Sequence, residues 1–424
     1  MRAGVPQVEA LRELPRDGWL LFSTRFLRLF GYGLISVVLV LYLDDIGLSD
    51  TKIGALLTLT LLGDTAVSLW ITTRADRRGR RKMLFVGALL MVIGGAVFSL
   101  TESFPVLLIA ATVAVISPSG GEVGPFLSIE QASLSHLTPS DRRTDVFAWY
   151  NLTGSVATAF GALVGGLSVD VARNWGLSNA GSYRPALLTY AVIGGLLGVI
   201  FCLLSRSIEI NDGPAPARNE GTLLGLHRSR AIVFKLSSLF ALDAFGGGFV
   251  MQSILAYWLH VRFGMEAAAL GAVFLGANLL AGVSALAAGW LAQRIGLVNT
   301  MVFTHLPSNV LLILVPLMPS AEWAVALLLI RFSISQMDVP TRQAYTMAVV
   351  WPDERSAASG ITGVARSLGA AISPAIATRL IAVPSLMSLP LFIAGGLKII
   401  YDLVLWREFA SHVPEEESGK NEGG

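Results

Sequence analysis

Residues 74–82 read Arg-Ala-Asp-Arg-Arg-Gly-Arg-Arg-Lys, and six of these nine residues are Lys or Arg in a chain where only 14% of residues are charged. Apolar runs of membrane-spanning length lie on both sides, over residues 51–73 and 83–100. Because Lys and Arg beside the ends of spans resist translocation, a short basic loop between two spans stays on the cytoplasmic side. This loop therefore orients every other segment of the chain.

The composition of the whole chain indicates a membrane protein. Its 424 residues are 54% hydrophobic, and their charged fraction falls well below the roughly 25% of soluble domains. The net charge of +2 gives no indication of a nucleic-acid partner. The one cysteine, Cys202, excludes a disulfide framework, and the five His residues show no metal-ligand spacing. We expect a chain embedded in the lipid bilayer, with no cofactor and no metal site.

Twelve apolar runs are long enough to cross a bilayer, since a spanning helix needs about 20 residues. They cover residues 19–43, 51–73, 83–100, 106–137, 146–170, 186–205, 231–261, 269–292, 300–315, 323–350, 357–380 and 386–405. An even number of spans places both termini on one side, which the basic loop makes cytoplasmic. Of the 31 Lys and Arg, the outer loops and their edges hold only Lys52, Arg173, Arg184, Arg262 and Arg379. This asymmetry agrees with the positive-inside rule.

The polar stretch 206–230 predicts a linker between two six-helix halves. We expect a cytoplasmic tail over 1–17 without a signal peptide, a bundle over 18–205, a cytoplasmic linker over 206–230, a second bundle over 231–406 and a cytoplasmic tail over 407–424. A shift of 212 residues lays Gln131 on Gln343 and Arg143 on Arg355. The identities at this constant shift indicate a duplicated unit, the parallel repeat of one large transporter class.

Residues 72–81 match the pattern G-x-x-x-D-R-x-G-R-[RK] at Asp76, Arg77, Gly79, Arg80 and Arg81, with a threonine where the first glycine is usual. Together with twelve spans and a central loop, this motif resembles the major facilitator superfamily over about residues 18–406. The resemblance implies an all-α integral membrane protein of two pseudo-symmetric six-helix bundles. It also implies a secondary active transporter rather than an enzyme, and the chain has no nucleotide-binding loop and no nucleophile elbow.

The fifth span is rich in glycine at Gly154, Gly161, Gly165 and Gly166. Residues 161–166 are similar to the superfamily's G-P-x-x-G-G motif, which is typical of antiporters, but they lack its proline. The alternative is ordinary packing, because small residues let helix backbones approach closely in lipid. The pattern leaves both interpretations open.

Charged side chains inside the spans need a reason, because one at the bilayer centre costs about 2.5–3.5 kcal/mol. Five basic and five acidic residues lie there, so pairing can neutralise the set: Arg25, Arg28, Asp64, Glu122, Glu130, Asp243, Arg331, Asp338, Arg342 and Arg366. The resemblance implies that the first, fourth, seventh and tenth spans line a central cavity. Those four spans carry all of these residues except Asp64 and Arg366.

Two interpretations of these charges follow. One is a cytoplasmic gate, in which Arg80 meets Glu130 and Asp76 faces the start of the eleventh span; its residues are Asp76, Arg77, Gly79, Arg80, Glu130 and Arg342. The other is a substrate or proton site, with Arg25, Arg28, Tyr32, Glu122, Asp243, Trp258, Arg331 and Asp338 as candidates. Local breaks at 117–121 and near Asp338 favour the second, since broken helices often form transporter sites. Structural alternatives are snorkelling of Arg25 and Arg28 and helix packing for Asp64.

The function that we expect is proton-coupled efflux of an amphipathic compound by alternating access, because a carboxyl in an apolar cavity can take up and release a proton. The alternative is uptake or export of an organic anion or metabolite, motivated by Arg25, Arg28 and Arg331. A non-transporting membrane sensor is the remote alternative. The expected partners are a small-molecule substrate, protons and the bilayer. We expect a monomer in the cell (inner) membrane.

Overall fold

The computed structural model describes residues 11, 14–122, 124–139, 142–209, 226–351 and 354–410, and within these ranges the chain is helical. The helices are α1 Arg16–Asp45, α2 Asp50–Arg78, α3 Arg80–Leu100, α4 Phe104–Val113, α5 Phe126–Leu137, α6 Arg143–Asn174, α7 Arg184–Leu203, α8 Arg230–Gly248, α9 Gln252–Phe263, α10 Ala267–Ile295, α11 Leu297–Leu314, α12 Ala321–Ser335, α13 Asp338–Ala348, α14 Arg355–Ile381 and α15 Leu389–Phe409.

The predicted class, an all-α membrane protein, is confirmed. Within the described ranges, ten helices are long and apolar enough to cross a membrane, and two of them, Arg230–Phe263 and Ala321–Ala348, join α8 with α9 and α12 with α13. The eleventh predicted span corresponds to α14. The fourth is divided into α4 and α5, and the backbone between them turns at Gly120 and Gly124, whose φ angles are 70° and 80°. Such positive φ angles cost glycine little, which explains why the helix breaks there.

Small residues let the helices touch through their backbones. A Cβ on Gly33 of α1 would lie 2.1 Å from the Thr158 carbonyl oxygen of α6, and one on Gly161 of α6 would lie 2.0 Å from the Phe30 carbonyl oxygen. In α14, a Cβ on Gly369 would lie 2.3 Å from the Ala241 carbonyl oxygen of α8. These contacts follow from how helices pack in lipid, where close van der Waals approach replaces the hydrophobic effect.

The chain divides into two compact units, the first comprising residues 1–213 and 255–278 and the second comprising residues 214–254 and 279–424. In the first unit the Tyr257 hydroxyl donates to Asp44 Oδ1 at 3.3 Å and to Asp50 Oδ1 at 3.1 Å. Arg173 donates to Glu266 Oε2 at 2.8 Å. These bonds tie α9 and the start of α10 to α1, α2 and α6. The predicted bundle boundaries stay a prediction, since residues 210–225 of the linker lie outside the described ranges.

Candidate functional site

A buried ion-pair cluster lies inside the first unit. Arg25 and Arg28 are three residues apart and share one face of α1. Arg28 is fully buried, and it donates to Glu130 Oε1 at 2.7 Å and to Glu122 Oε1 at 3.2 Å. Arg25 pairs with the same Glu122 and donates to Asn151 Oδ1 of α6 at 3.2 Å. Both arginines are therefore buried and paired, and the snorkelling alternative is wrong.

Neighbouring side chains hold this cluster in place. The Thr24 hydroxyl donates to Glu130 Oε1 at 2.8 Å, and the Tyr150 hydroxyl donates to the other oxygen of the same carboxylate. The guanidinium of Arg25 lies 4.3 Å from the centre of the Tyr150 ring, a cation–π contact. A Cβ on Gly154 would lie 2.9 Å from Arg25 Nε. Glycine at this position in α6 therefore leaves room for the arginine.

In the part of the chain that the structure describes, no cation pairs with Asp64 of α2. It lies beside the Gly124 amide and the Ser68 hydroxyl, close enough to Glu122 for electrostatic repulsion. Its Oδ1 has no hydrogen-bond partner among the described residues, and the same holds for Glu122 Oε2. Sequence analysis gave helix packing as a structural alternative for Asp64. The structure places two incompletely bonded carboxylates beside the irregular segment that follows α4.

The second unit holds another cluster, built from α8, α13 and α15. Asp243 of α8 accepts from Lys398 Nζ at 2.5 Å and from Arg342 Nη1 at 3.1 Å. Arg342 also donates to Asp338 Oδ2 at 2.9 Å, one helical turn before it. All four residues are buried. The structure thus brings the predicted residues Asp243, Asp338 and Arg342 together.

Four members of the second cluster were missed by sequence analysis: Lys398, His305, Asn309 and Asp402. His305 of α11 has Nδ1 2.8 Å from Asp402 Oδ1, and its Nε2 lies 3.9 Å from Asp243 Oδ1. Asn309 donates to Asp402 Oδ2 at 2.9 Å. The available signal was Lys398 and Asp402, four residues apart within the last apolar run. A charged side chain within the last apolar run carries the same kind of cost as the ten charged residues that we considered in the other spans.

The two clusters differ in charge. Among the described interior groups, the first unit sets Arg25 and Arg28 against Asp64, Glu122 and Glu130. The second unit sets Arg331, Arg342, Arg366 and Lys398 against Asp243, Asp338 and Asp402, with His305 in addition. The first unit therefore has one carboxylate more than its cations and the second has one cation more than its carboxylates. The expected neutral set of five basic and five acidic residues was incomplete, because it lacked Lys398 and Asp402.

The basic loop turns at Gly79, whose φ is 100°. The Glu209 carboxylate accepts from the backbone amides of Arg80 at 2.6 Å and Arg81 at 3.2 Å, at the start of α3. Arg80 Nη1 also donates to the Ile208 carbonyl oxygen at 3.2 Å. The Asp76 and Arg77 side chains lie outside the described part of the chain. The gate that we predicted from these residues, with Glu130 and Arg342 in the two buried clusters, stays a prediction.

The two aromatic candidates are packed residues in the structure. Tyr32 is fully buried against Tyr190, with ring centroids 6.4 Å apart, and Trp258 is fully buried against Phe263 at 5.7 Å. Their role toward a substrate stays a prediction.

The glycines of α6 also lie at close contacts. A Cβ on Gly165 would lie 2.5 Å from the Leu34 carbonyl oxygen, and one on Gly166 would lie 2.1 Å from the Ala267 carbonyl oxygen. These distances support the packing interpretation of the motif.

Comparison with known proteins gives a consistent result. A sequence profile of the Major Facilitator Superfamily matches residues 21–420. The chain is 32% identical over 418 residues to the uncharacterized membrane protein YJR124C of Saccharomyces cerevisiae, covering 92% of this chain and 93% of that protein. It is 24% identical to the quinolone resistance protein NorA of Staphylococcus aureus over 39% of this chain and 41% of that protein.

Among solved structures, the nucleoside transporter NupG superposes with a TM-score of 0.69 at 13% identity, covering 93% of this chain and 99% of NupG. A bacterial homolog of the human lysosomal transporter Spinster, in an inward-facing and unoccupied conformation, gives a TM-score of 0.69 at 17% identity, with 96% of each chain covered. At these identities the likeness concerns the fold.

Proposed function

The chain belongs to the Major Facilitator Superfamily and is a multi-pass secondary transporter, and from that premise we propose that it couples protons to the export of an amphipathic compound by alternating access. The proposal depends on one residue, Asp64. It is a carboxylate within an apolar span, with no cation within ion-pairing distance among the described residues.

The argument is electrostatic. An isolated charge inside a lipid-embedded helix is costly, so such groups pair or mark proton and substrate pathways. A proton is the simplest counter-charge for a carboxylate without a cation. Asp64 also faces the irregular segment after α4, and broken helices in transporters commonly border the translocation path. Asp64 is therefore the proposed proton site, and the adjacent Glu122, which pairs with Arg25 and Arg28, adds a nearby negative charge.

The other carboxylate candidates fit a proton carrier less well. Asp243 and Asp338 are each held by cations, Asp243 by Lys398 and both by Arg342. Removing one member of a buried pair strands its partner, at a cost of about 3–5 kcal/mol. Protonation of Asp243 or Asp338 would likewise leave a buried cation without its partner, at a similar cost. We therefore assign them a structural or substrate role in place of the proton role that the sequence suggested.

The likeness to NorA, described as a quinolone resistance protein, supports export of an amphipathic compound. Arg331 favours a second candidate, an organic-anion transporter, because it is buried without a carboxylate partner among the described residues. We further propose cytoplasmic termini, as the basic loop indicates, a monomer, and the cell (inner) membrane as the location.

Reconstituted proteoliposomes test the proton coupling, with the fluorescent quinolone ciprofloxacin as probe. We expect an imposed pH gradient to drive accumulation by the wild-type protein. Asp64→Asn should lose this driven accumulation but keep counterflow of the same probe without a gradient, because exchange needs no proton step. Glu102→Gln removes an exposed carboxylate outside the helices and serves as the control. Unchanged driven accumulation in Asp64→Asn would refute the proposal.

A further inference from the structure

The cation cluster of the second unit is short of negative charge. Asp243 faces Lys398 at 2.5 Å, Arg342 at 3.1 Å and Arg366 at 3.7 Å. One carboxylate is thus shared by three cations. Asp338 bonds to Arg342. Both carboxylates are therefore already paired with cations.

A further cation of this unit is Arg331 of α12. Arg331 is only 8% exposed, and its Nε has no hydrogen-bond partner among the described residues. Its guanidinium carbon lies 5.1 Å from the centre of the Phe332 ring. A guanidinium offers five donors in a fixed fork and stays charged in proteins. Arg331 is therefore a buried cation with its donors available.

Arg366 of α14 adds a second incompletely bonded guanidinium. Its Nη1 lacks a hydrogen bond within the part of the chain that the structure describes, and its side chain is 36% exposed. Both arginines interact electrostatically with the same two carboxylates, Asp243 and Asp338. They therefore approach the same pair of carboxylates from two helices, and the side chain of Arg366 is partly exposed.

We infer that the region around Arg331 and Arg366 binds the acidic group of the transported compound, an organic acid with a carboxylate, sulfonate or phosphate head. An anion between two arginines would supply the missing negative charge and form charge-assisted, bidentate hydrogen bonds. The inference rests on the proposed function only in that the bound compound is the cargo. It names the class of cargo, which the proton site in the first unit leaves open.

A binding experiment on the purified full-length protein in non-ionic detergent tests the inference. The probes share one ring system and differ in head group: 1-naphthoate, 1-naphthalenesulfonate and 1-naphthyl phosphate as acids, 1-naphthylmethylamine as the cation and 1-naphthylmethanol as the neutral compound. Thermal unfolding is followed against probe concentration. We expect at least one acid to raise the unfolding temperature and the amine and alcohol to leave it unchanged.

Arginine variants locate the site. Arg331→Gln should weaken binding of the stabilising acid by at least about tenfold, the size expected for one charge-assisted bond. Arg331→Lys should keep more of the affinity, since the charge remains. Without probe, Arg331→Gln should unfold no earlier than wild type because it removes an unpaired charge, whereas Arg342→Gln should unfold earlier. Arg262→Gln, an exposed arginine at the end of α9, is the matched control.

Several results would overturn the inference. They are no shift with any of the three acids, an equal shift with the amine, a shift of equal size with inorganic phosphate alone, or unchanged acid binding in Arg331→Gln. Acid binding is measured in detergent without a proton gradient. A failure of proton coupling in the transport assay therefore remains distinguishable from a failure of the acid site.

Discussion

At the scale of single residues, Glu354 is a carboxylate that binds backbone amides at a helix start. The carboxylates of the two buried clusters bind mainly cationic side chains. Glu354 precedes α14 and is fully buried, and it accepts from the backbone amides of Arg228 and Ser229 at 2.8 Å each and from the amide of His227. These amides lie at the start of α8, where the helix dipole favours an anion. Burial would raise the pKa of the Glu354 carboxyl, but hydrogen bonds from the Ser229 side chain and these amides lower it to about 2. Glu354 therefore joins α14 to α8.

Replacing Glu354 should destabilise the protein in a pH-dependent way. Its pKa in the folded state lies below the ordinary value of 4.5, so its stabilisation is complete above that value and is lost as pH falls toward about 2. We expect Glu354→Gln to lower the unfolding temperature at neutral pH, with the difference from wild type shrinking as the pH falls below about 4.5. Thermal unfolding in detergent across this pH range measures the difference in unfolding temperature between Glu354→Gln and wild type.

Glu102→Gln, which breaks an exposed ion pair with Arg184, is the control and should have little effect at any pH. A difference between Glu354→Gln and wild type that stays constant with pH would contradict the argument.

At the scale of helices, glycine contacts decide which pairs touch. The faces of α1 and α6 meet through Gly33 and Gly161, each directed at a backbone carbonyl of the other helix. This close approach places Tyr150 and Asn151 of α6 against the arginines of α1. The buried cluster therefore depends on small residues that carry no charge themselves.

A single methyl group on this interface tests the dependence. In Gly161→Ala the new Cβ would lie 2.0 Å from the Phe30 carbonyl oxygen, so the helices must move apart. We expect a loss of stability of about 1–3 kcal/mol, typical of overpacking. Gly195→Ala in α7 meets nothing within 4 Å and should be neutral or slightly stabilising. Thermal unfolding of the two variants in parallel gives the comparison, and equal stability would count against close packing of α1 with α6.

At the scale of the whole molecule, orientation in the membrane follows from charge. The basic residues of 74–82 flank the turn at Gly79 between α2 and α3, and the short turn between α10 and α11 has Arg294 at its edge. If each predicted span reverses the direction of the chain, we expect these two turns on the same side of the membrane. The proposed orientation puts the segment between α6 and α7 on the opposite side, and this expectation rests on the positive-inside rule.

Thiol labelling can establish the orientation. Cys202 is the only cysteine of the chain, so Cys202→Ser gives a background for single-cysteine variants. A membrane-impermeant maleimide added to intact cells should label Asn179→Cys, between α6 and α7. It should label Gln293→Cys, near the end of α10, only after the membrane is opened. The reverse pattern would refute cytoplasmic termini and the orientation derived from the basic loop.

Which residues pair could be predicted only in part. The cost of charge in lipid correctly directed attention to Arg28, Glu122, Asp243 and Arg342, because that cost is a property of each side chain and its span. The partners were not predictable in the same way: Arg28 meets Glu130 across 102 positions, and Lys398 meets Asp243 across 155. Such pairs depend on which helix faces touch, and spacing along one helix contains no information about that.

The sequence by itself determined the helical membrane class and the apolar runs, because hydropathy acts locally along the chain. The side of the basic loop stays a prediction from its charge. Only the tertiary structure decided that Asp64 lacks a cation and that Arg331 lacks a carboxylate among the described residues. It also placed residues 255–278 with the first unit. The physical reason is that neutralisation of a buried charge requires a partner within a few ångströms, and helix packing brings such partners together from distant parts of the chain.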